Sequence, residues 1–213
     1  MVHELPKDCR VTLALEDYEH YLDTVNRRLY LTSLIETSDN ESAGYAMSSA
    51  SCIVDSILAY NRKDAEDGIA PQDRKPIRLY INSPGGDVTE GFAVIGAIEL
   101  SQTPVYTINI GQWSSMAFLI GITGHKRLSL HNMTFLMHDG KTFTYDSGKK
   151  AQDRMDFEKR FEQEVVRAHV LKYSKMKQLD YDALVRVEYY MLPNDAMERG
   201  FIDEIVTDIN AIL

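Results

Sequence analysis

Two serines stand side by side in GQWSSMAF (111–118), a histidine at 138 follows the apolar run TFLM, and the turn NSPGGD carries the pair Gly85–Gly86. Those types suffice for acyl transfer: a hydroxyl to attack, an imidazole to take its proton, and unobstructed backbone N–H groups to hold an oxyanion. Ser114 and Ser115 also suit a plainer role, because a serine at a helix start caps free N–H groups. The pentapeptide of a nucleophile elbow, G-x-S-x-G, is not met. NSPGGD lacks the Gly-Lys-Ser/Thr ending of a phosphate loop and the third glycine of the dinucleotide fingerprint, so a tight turn is its simplest reading. The other histidines, His3, His20, His125, His131 and His169, have polar or charged neighbours and are expected at the surface. Cys9 and Cys52 have neither metal spacing nor a disulfide framework and read as buried or incidental thiols.

The elements that must position these groups alternate. RRLYLTS (27–33), IRLYI (77–81), VYTINI (105–110) and MTFLMH (133–138) are strand-like runs. AMSSASCIVDSILAYN (46–61) spaces Met47, Ala50, Ile53, Val54, Ile57 and Leu58 along one helical face. VTEGFAVIGAIEL (88–100) is a second helix with Val88, Phe92, Ile95 and Ile98 inward, and Asp87 with Glu90 fits a capping box at its start. SSMAFLIGIT supplies a third helix, while RKDAEDGIAPQDRKP (62–76) reads as a solvated loop. SGKKAQDRMDFEKRFEQEVVRAHVLKYSKM (147–176) is a long helical pattern with a thin apolar stripe of Met155, Phe161, Val165, Val166 and Val170. A stripe that thin needs a partner surface. Strand–helix alternation predicts β-α-β crossovers, a mainly parallel sheet, and a site where the loops at the strands' carboxyl ends converge.

The chain has 213 residues, 44% hydrophobic and 26% charged, which suits one globular domain with a substantial core. A formal charge of −9 argues against a nucleic-acid partner. The opening MVHELPKDCRV lacks the basic cluster and apolar core of a secretory signal, and the longest apolar runs, such as MAFLIGI (116–122), fall short of the ~20 residues that cross a bilayer. A cytoplasmic protein with no membrane partner is the expectation.

YINSPGGDVTEG, IGQWSSMAF, FLMHDG and NDAMERGFIDEI resemble, in that order and spacing, the proteolytic subunit of the Clp proteases, serine peptidases of the Clp protease/crotonase superfamily; the likeness spans residues 25 to 210. The resemblance implies an α/β fold of repeated β-α-β units forming a head, with a long handle helix for ring–ring contact. It implies one peptidase domain over 1–213: a divergent N-terminal segment (1–24), a head (25–140 and 177–213) and a handle (141–176). In that family the nucleophile is the serine directly before the Met-Ala pair, here Ser115, with Ser114 in place of a small filler residue. By the same carry-over His138 is the general base, the N–H groups of Gly86 and Met116 form the oxyanion hole, and KTFTYD (141–146) is the strand that aligns an extended substrate peptide. The activity implied is that of an ATP-dependent Clp protease proteolytic subunit, a serine endopeptidase that cuts unfolded polypeptides inside a ring chamber through an acyl-enzyme. No cofactor is expected in the subunit itself, ATP being used by an AAA+ unfoldase partner. The other partner is the chain itself, in heptameric rings stacked as a tetradecamer.

Three departures stand out. The position of the family's third triad member, an aspartate, falls on Glu188 in VRVEYYM, with Asp182 and Asp195 near enough in sequence to substitute. A glutamate can orient and stabilise an imidazolium, but its extra methylene asks the backbone to sit farther back. Residues 1–20 do not align with the family's pore-lining segment, and the 62–76 loop is longer than the family's, which leaves open which unfoldase docks. Two other readings accompany the peptidase: a non-catalytic or weakly active ring subunit, structural in role, and a crotonase-like acyl-CoA enzyme, in which a Ser115–His138 pair has no use.

Overall fold

The structure, a computed structural model, describes residues 22, 23, 26–36, 48–140 and 148–213. Apolar runs rich in Ile, Leu, Val and Tyr become strands and the stripes between them helices. Their order is β1 (Leu22–Asp23), β2 (Arg28–Leu31), α1 (Ser49–Glu66), β3 (Ile77–Ser83), α2 (Val88–Leu100), β4 (Val105–Ser114), α3 (Met116–Ile122), β5 (Lys126–Ser129), β6 (Thr134–Met137), α4 (Lys149–Phe161), α5 (Arg167–Lys172), α6 (Gln178–Leu184), β7 (Tyr189–Met191), α7 (Pro193–Glu198) and β8 (Glu204–Ile205). One sheet runs β1-β2-β3-β4-β5-β8, and β6 pairs with both β4 and β7. All pairs are parallel except β1–β2 and β6–β7. The α/β fold of β-α-β units read from the sequence is therefore present.

Alternation along the strands divides the core. Ile77, Leu79, Ile81, Val105 and Trp113 pack on one face beneath α1, α2 and α3, whereas Tyr80, Ile108, Leu128, Val206 and Ile212 pack on the other. Each Ile or Leu so buried contributes about 2 kcal/mol. Tyr30 stacks on Tyr80 at 5.0 Å, and the Tyr80 hydroxyl donates to the Ile212 carbonyl, tying the C-terminus to the sheet.

Several expectations shift. The 62–76 segment is not all loop, because α1 runs on to Glu66. Asp64 is fully buried there: Arg27 Nη1 and the Thr103 hydroxyl each donate to its Oδ2 at 2.8 Å. The guanidinium holds the Asp64 carboxyl below the usual carboxylate range against the opposing effect of burial. Leu58 and Val88, expected inward, are exposed. Only half of the capping box forms at α2. The Glu90 N–H donates to Asp87 Oδ1 at 2.9 Å, but the Glu90 carboxylate accepts from the Ser48 hydroxyl and so links α2 to the N-cap of α1.

β4 reaches Ser114 rather than stopping at 110 because it takes two partners in succession. It pairs with β5 along Tyr106–Asn109 and with β6 along Gln112–Ser114. Ser114 is thus the last residue of a strand, not the first of a helix.

The long helical pattern becomes α4 and α5 joined through a π-turn, Glu162–Val166. No residue of α4 is buried, and Met155 and Phe157 are exposed. Phe161, its last residue, and His169 both meet the Phe92 ring, at 5.3 and 6.1 Å, and Val170 is fully buried. The KTFTYD segment (141–146) and nearly all of 1–24 lie outside the described residues. Among the described residues no helix is long and apolar enough to cross a membrane.

Candidate active site

The carboxyl ends of β3, β4 and β6 converge on Ser115. After β3, Gly85 and Gly86 take φ +95 and +142, conformations that favour glycine. Ile35 lies alongside them: its N–H donates to the Gly85 carbonyl and its carbonyl accepts from the Asp87 N–H, both at 2.8 Å. In such a parallel bridge the N–H of the middle residue, Gly86, faces the opposite side. A Cβ on Gly86 would strike the Ile35 backbone, and one on Gly85 would sit 2.8 Å from Ser115 Cβ and 2.9 Å from the Met116 nitrogen. Two glycines let the β3 turn close on the start of α3.

Ser115 occupies the N-cap of α3 but does not cap it. Its backbone is at φ +54, ψ −123, and its hydroxyl makes no cap hydrogen bond. Left-handed φ at a non-glycine residue costs about 1–3 kcal/mol and persists only where the surroundings dictate it. Here the Ser115 N–H donates to the Leu136 carbonyl at 3.0 Å, its carbonyl accepts from Phe118 and Leu119, and all seven residues of α3 are buried. The N–H of Met116, first in the helix, precedes any intrahelical acceptor, and the helix end favours negative charge there. Ser114 by contrast is 7% exposed, with its hydroxyl on Gln112 Oε1 at 3.2 Å.

The far end of α3 is also held. Thr123 Oγ1 donates to the Leu119 carbonyl at 2.8 Å, and His169 Nε2, at 3.1 Å from both that carbonyl and Thr123 Oγ1, carries the proton that completes the set. His169 is 7% exposed, which corrects its reading as a surface residue, and burial pushes its imidazole pKa down. His125 and His131 are exposed as expected. Beneath α3 the fully buried Trp113 indole packs edge-on to Phe135 at 5.4 Å and occupies the space that a Cβ on Gly121 would need.

Strand register brings His138 and Glu188 alongside. Ser114 pairs with Leu136 across β4–β6, and Leu136 with Tyr190 and Met137 with Tyr189 across β6–β7. The ladder ends at Met137–Tyr189, so His138 and Glu188 are the next residues of the two chains at the same end of it, and past them the Asp139 N–H donates to the Val185 carbonyl at 2.7 Å. His138 Nε2 is buried with no partner among the described residues. Glu188 is exposed, and its Oε2 accepts from the Tyr190 hydroxyl at 2.8 Å. No hydrogen bond joins Ser115 to His138 or His138 to Glu188. Asp182 is engaged with Arg167 at 3.6 Å, and Asp195 Oδ2 accepts from the Leu192 N–H at 2.9 Å at the start of α7. Tyr190 was not singled out by sequence reasoning; the signal was the i, i+2 spacing of Glu188 and Tyr190 in a strand-like run.

A serine on a strained turn against two glycines, an unpartnered imidazole nitrogen just past the neighbouring strand, and a carboxylate just before the next strand are the residue types that nucleophilic acyl transfer uses. Compared with known protein families, the chain matches the family model described as Clp protease over residues 50–208.

Proposed function

The chain belongs to the Clp protease family, a family of peptidases, and on that premise we propose that it is a proteolytic subunit working as a serine endopeptidase on unfolded polypeptides. In this reading Ser115 is the nucleophile, His138 the general base, Glu188 the carboxylate that orients the imidazole, and the Gly86 and Met116 N–H groups the oxyanion hole. The observation that supports it is the β4–β6–β7 pairing, because Ser115, His138 and Glu188 directly flank the paired ends of those three strands and Ser115 lies against the glycine turn.

The chemistry follows from the roles. Ser115 Oγ attacks the peptide carbonyl carbon while His138 Nε2 takes the hydroxyl proton, and the oxyanion is held by the two N–H groups. The C–N bond then breaks, the amine leaving with the proton from His138, and the acyl group stays as an ester on Ser115. Water adds to the ester, giving one proton to His138. Release of the acid returns that proton to Ser115 Oγ. Glu188 offsets the imidazolium charge in both halves.

Residues 141–176 serve as the handle through which two heptameric rings stack as a tetradecamer, a role supported by the exposed Met155 and Phe157 on α4. An ATP-dependent unfoldase supplies substrate to this cytoplasmic assembly, and the subunit needs no cofactor of its own. A second reading, a ring subunit without catalysis, is favoured by the absence of a Glu188–His138 hydrogen bond. Treating the assembled protein with a fluorophosphonate probe separates the two. The expected result is label on the Ser115 peptide in a particle of fourteen-subunit mass; an assembled ring that takes up no label assigns the chain to the structural role instead.

A further inference from the structure

Tyr190 has no evident packing duty. It is 64% exposed in the centre of the short strand β7, yet its hydroxyl is committed to Glu188 Oε2 at 2.8 Å. The register gives that bond meaning. Tyr190 stands opposite Leu136 in β6–β7, Glu188 is two residues before Tyr190 and His138 two after Leu136, so phenol, carboxylate and imidazole come from the same end of one ladder. A glutamate has one more rotatable bond than an aspartate, and an exposed one samples many rotamers. A hydroxyl two residues on, fixed by strand geometry, removes that freedom.

We propose that Tyr190 is a positioning residue for the reaction, a brace that holds Oε2 of Glu188 so that Oε1 is presented to His138. The inference rests on the assignment of Ser115, His138 and Glu188 above. The brace compensates for the added methylene that distinguishes Glu188 from an aspartate. The phenol's own pKa is raised first by this hydrogen bond and then by the Glu188 charge.

The test uses a fluorogenic peptide and the assembled protein in four forms: wild type, Tyr190→Phe, Glu188→Ala and the double variant. Removing one hydroxyl from an exposed ring leaves folding and particle mass intact. Tyr190→Phe is expected to lower kcat about tenfold with KM unchanged, the effect of losing one hydrogen bond to a charged group. On the Glu188→Ala background the same change is expected to do nothing more. An unchanged kcat in Tyr190→Phe, or an equal fall on both backgrounds, overturns the brace while leaving the Glu188 assignment in place. Wild-type turnover by Glu188→Ala, in a protein that Ser115→Ala silences, removes the Glu188 assignment and the brace together.

Discussion

The two ends of the candidate triad are held by different means. Ser115 is fixed by its backbone: a left-handed φ, a hydrogen bond to Leu136, a buried helix after it and the glycine turn pressed against it. Glu188 is fixed by a side chain, one bond to Tyr190 at an exposed strand edge. Backbone-determined geometry resists substitution nearby until a clash is forced and then fails abruptly, whereas a side-chain brace weakens in proportion to the contact removed. The nucleophile end stores strain and the carboxylate end stores freedom, so errors at the two ends differ in kind.

The sharpest way to break the contrast is at the hydroxyl itself. Ser115→Ala is expected to abolish turnover, a loss of several orders of magnitude, while Ser114→Ala, whose hydroxyl only meets Gln112, keeps most of it. Equal losses in peptide hydrolysis would end the assignment. Next comes Gly85→Ala, which adds a methyl 2.6 Å from the Ser114 carbonyl oxygen and 2.8 Å from Ser115 Cβ at φ +95. Chemical denaturation should show a stability loss of about 2–4 kcal/mol, with fluorophosphonate labelling lost alongside it; a variant labelled at the wild-type rate would show that the turn does not constrain Ser115.

The smallest effect concerns His169 at the other end of α3. Burial, the largest influence, lowers its pKa in the fold, against the raising effects of the Leu119 carbonyl and the Glu99 charge. The folded protein therefore binds a proton less readily than the unfolded chain. The associated stability is fully present above the ordinary imidazole pKa of about 6.5 and is lost as pH falls through the depressed folded value. Melting temperatures recorded from pH 7.5 down to pH 5 should fall, and His169→Gln should flatten that fall; identical slopes would show that His169 is not titrating in this range.

β3, α2, α3 and β6 were legible because their apolar spacing is regular, and α2 occupies the same residues, 88–100, that its periodicity marks; β5 (Lys126–Ser129), short and opening with two basic residues, was not. The end of β4 was not legible either, since Gln112–Ser114 are strand by pairing with β6, 22 residues away, and through Trp113 with Ser83 of β3. The helical character of 62–66 was hidden by its charges, which read as solvated until Arg27 and Thr103 bury Asp64. Ser115 and His138 could be named from residue type and order, but not the left-handed turn at which Ser115 leaves its own helix uncapped. His169 misled because the charges around VRAHVLKY outweighed its apolar flanks, Ala168 and Val170, while its spatial neighbours, Phe92 and Tyr173, are aromatic.

The π-turn at Glu162–Val166 acts as a phase shifter. Phe161 and His169 are eight residues apart, a separation that in a regular α-helix leaves the second side chain about 80° past two full turns. The widened turn absorbs the surplus, so both rings meet Phe92. Deleting a single residue within that turn would leave the two rings seven apart, within about 20° of one face of a regular helix, so α4 would keep its orientation. Making the turn regular at its present length would instead rotate α4 by about 80° relative to α5 and carry Met155 and Phe157 to a different side. The face that α4 offers is thus set by the width of one turn, while every side chain of the Ser115 turn stays as it is.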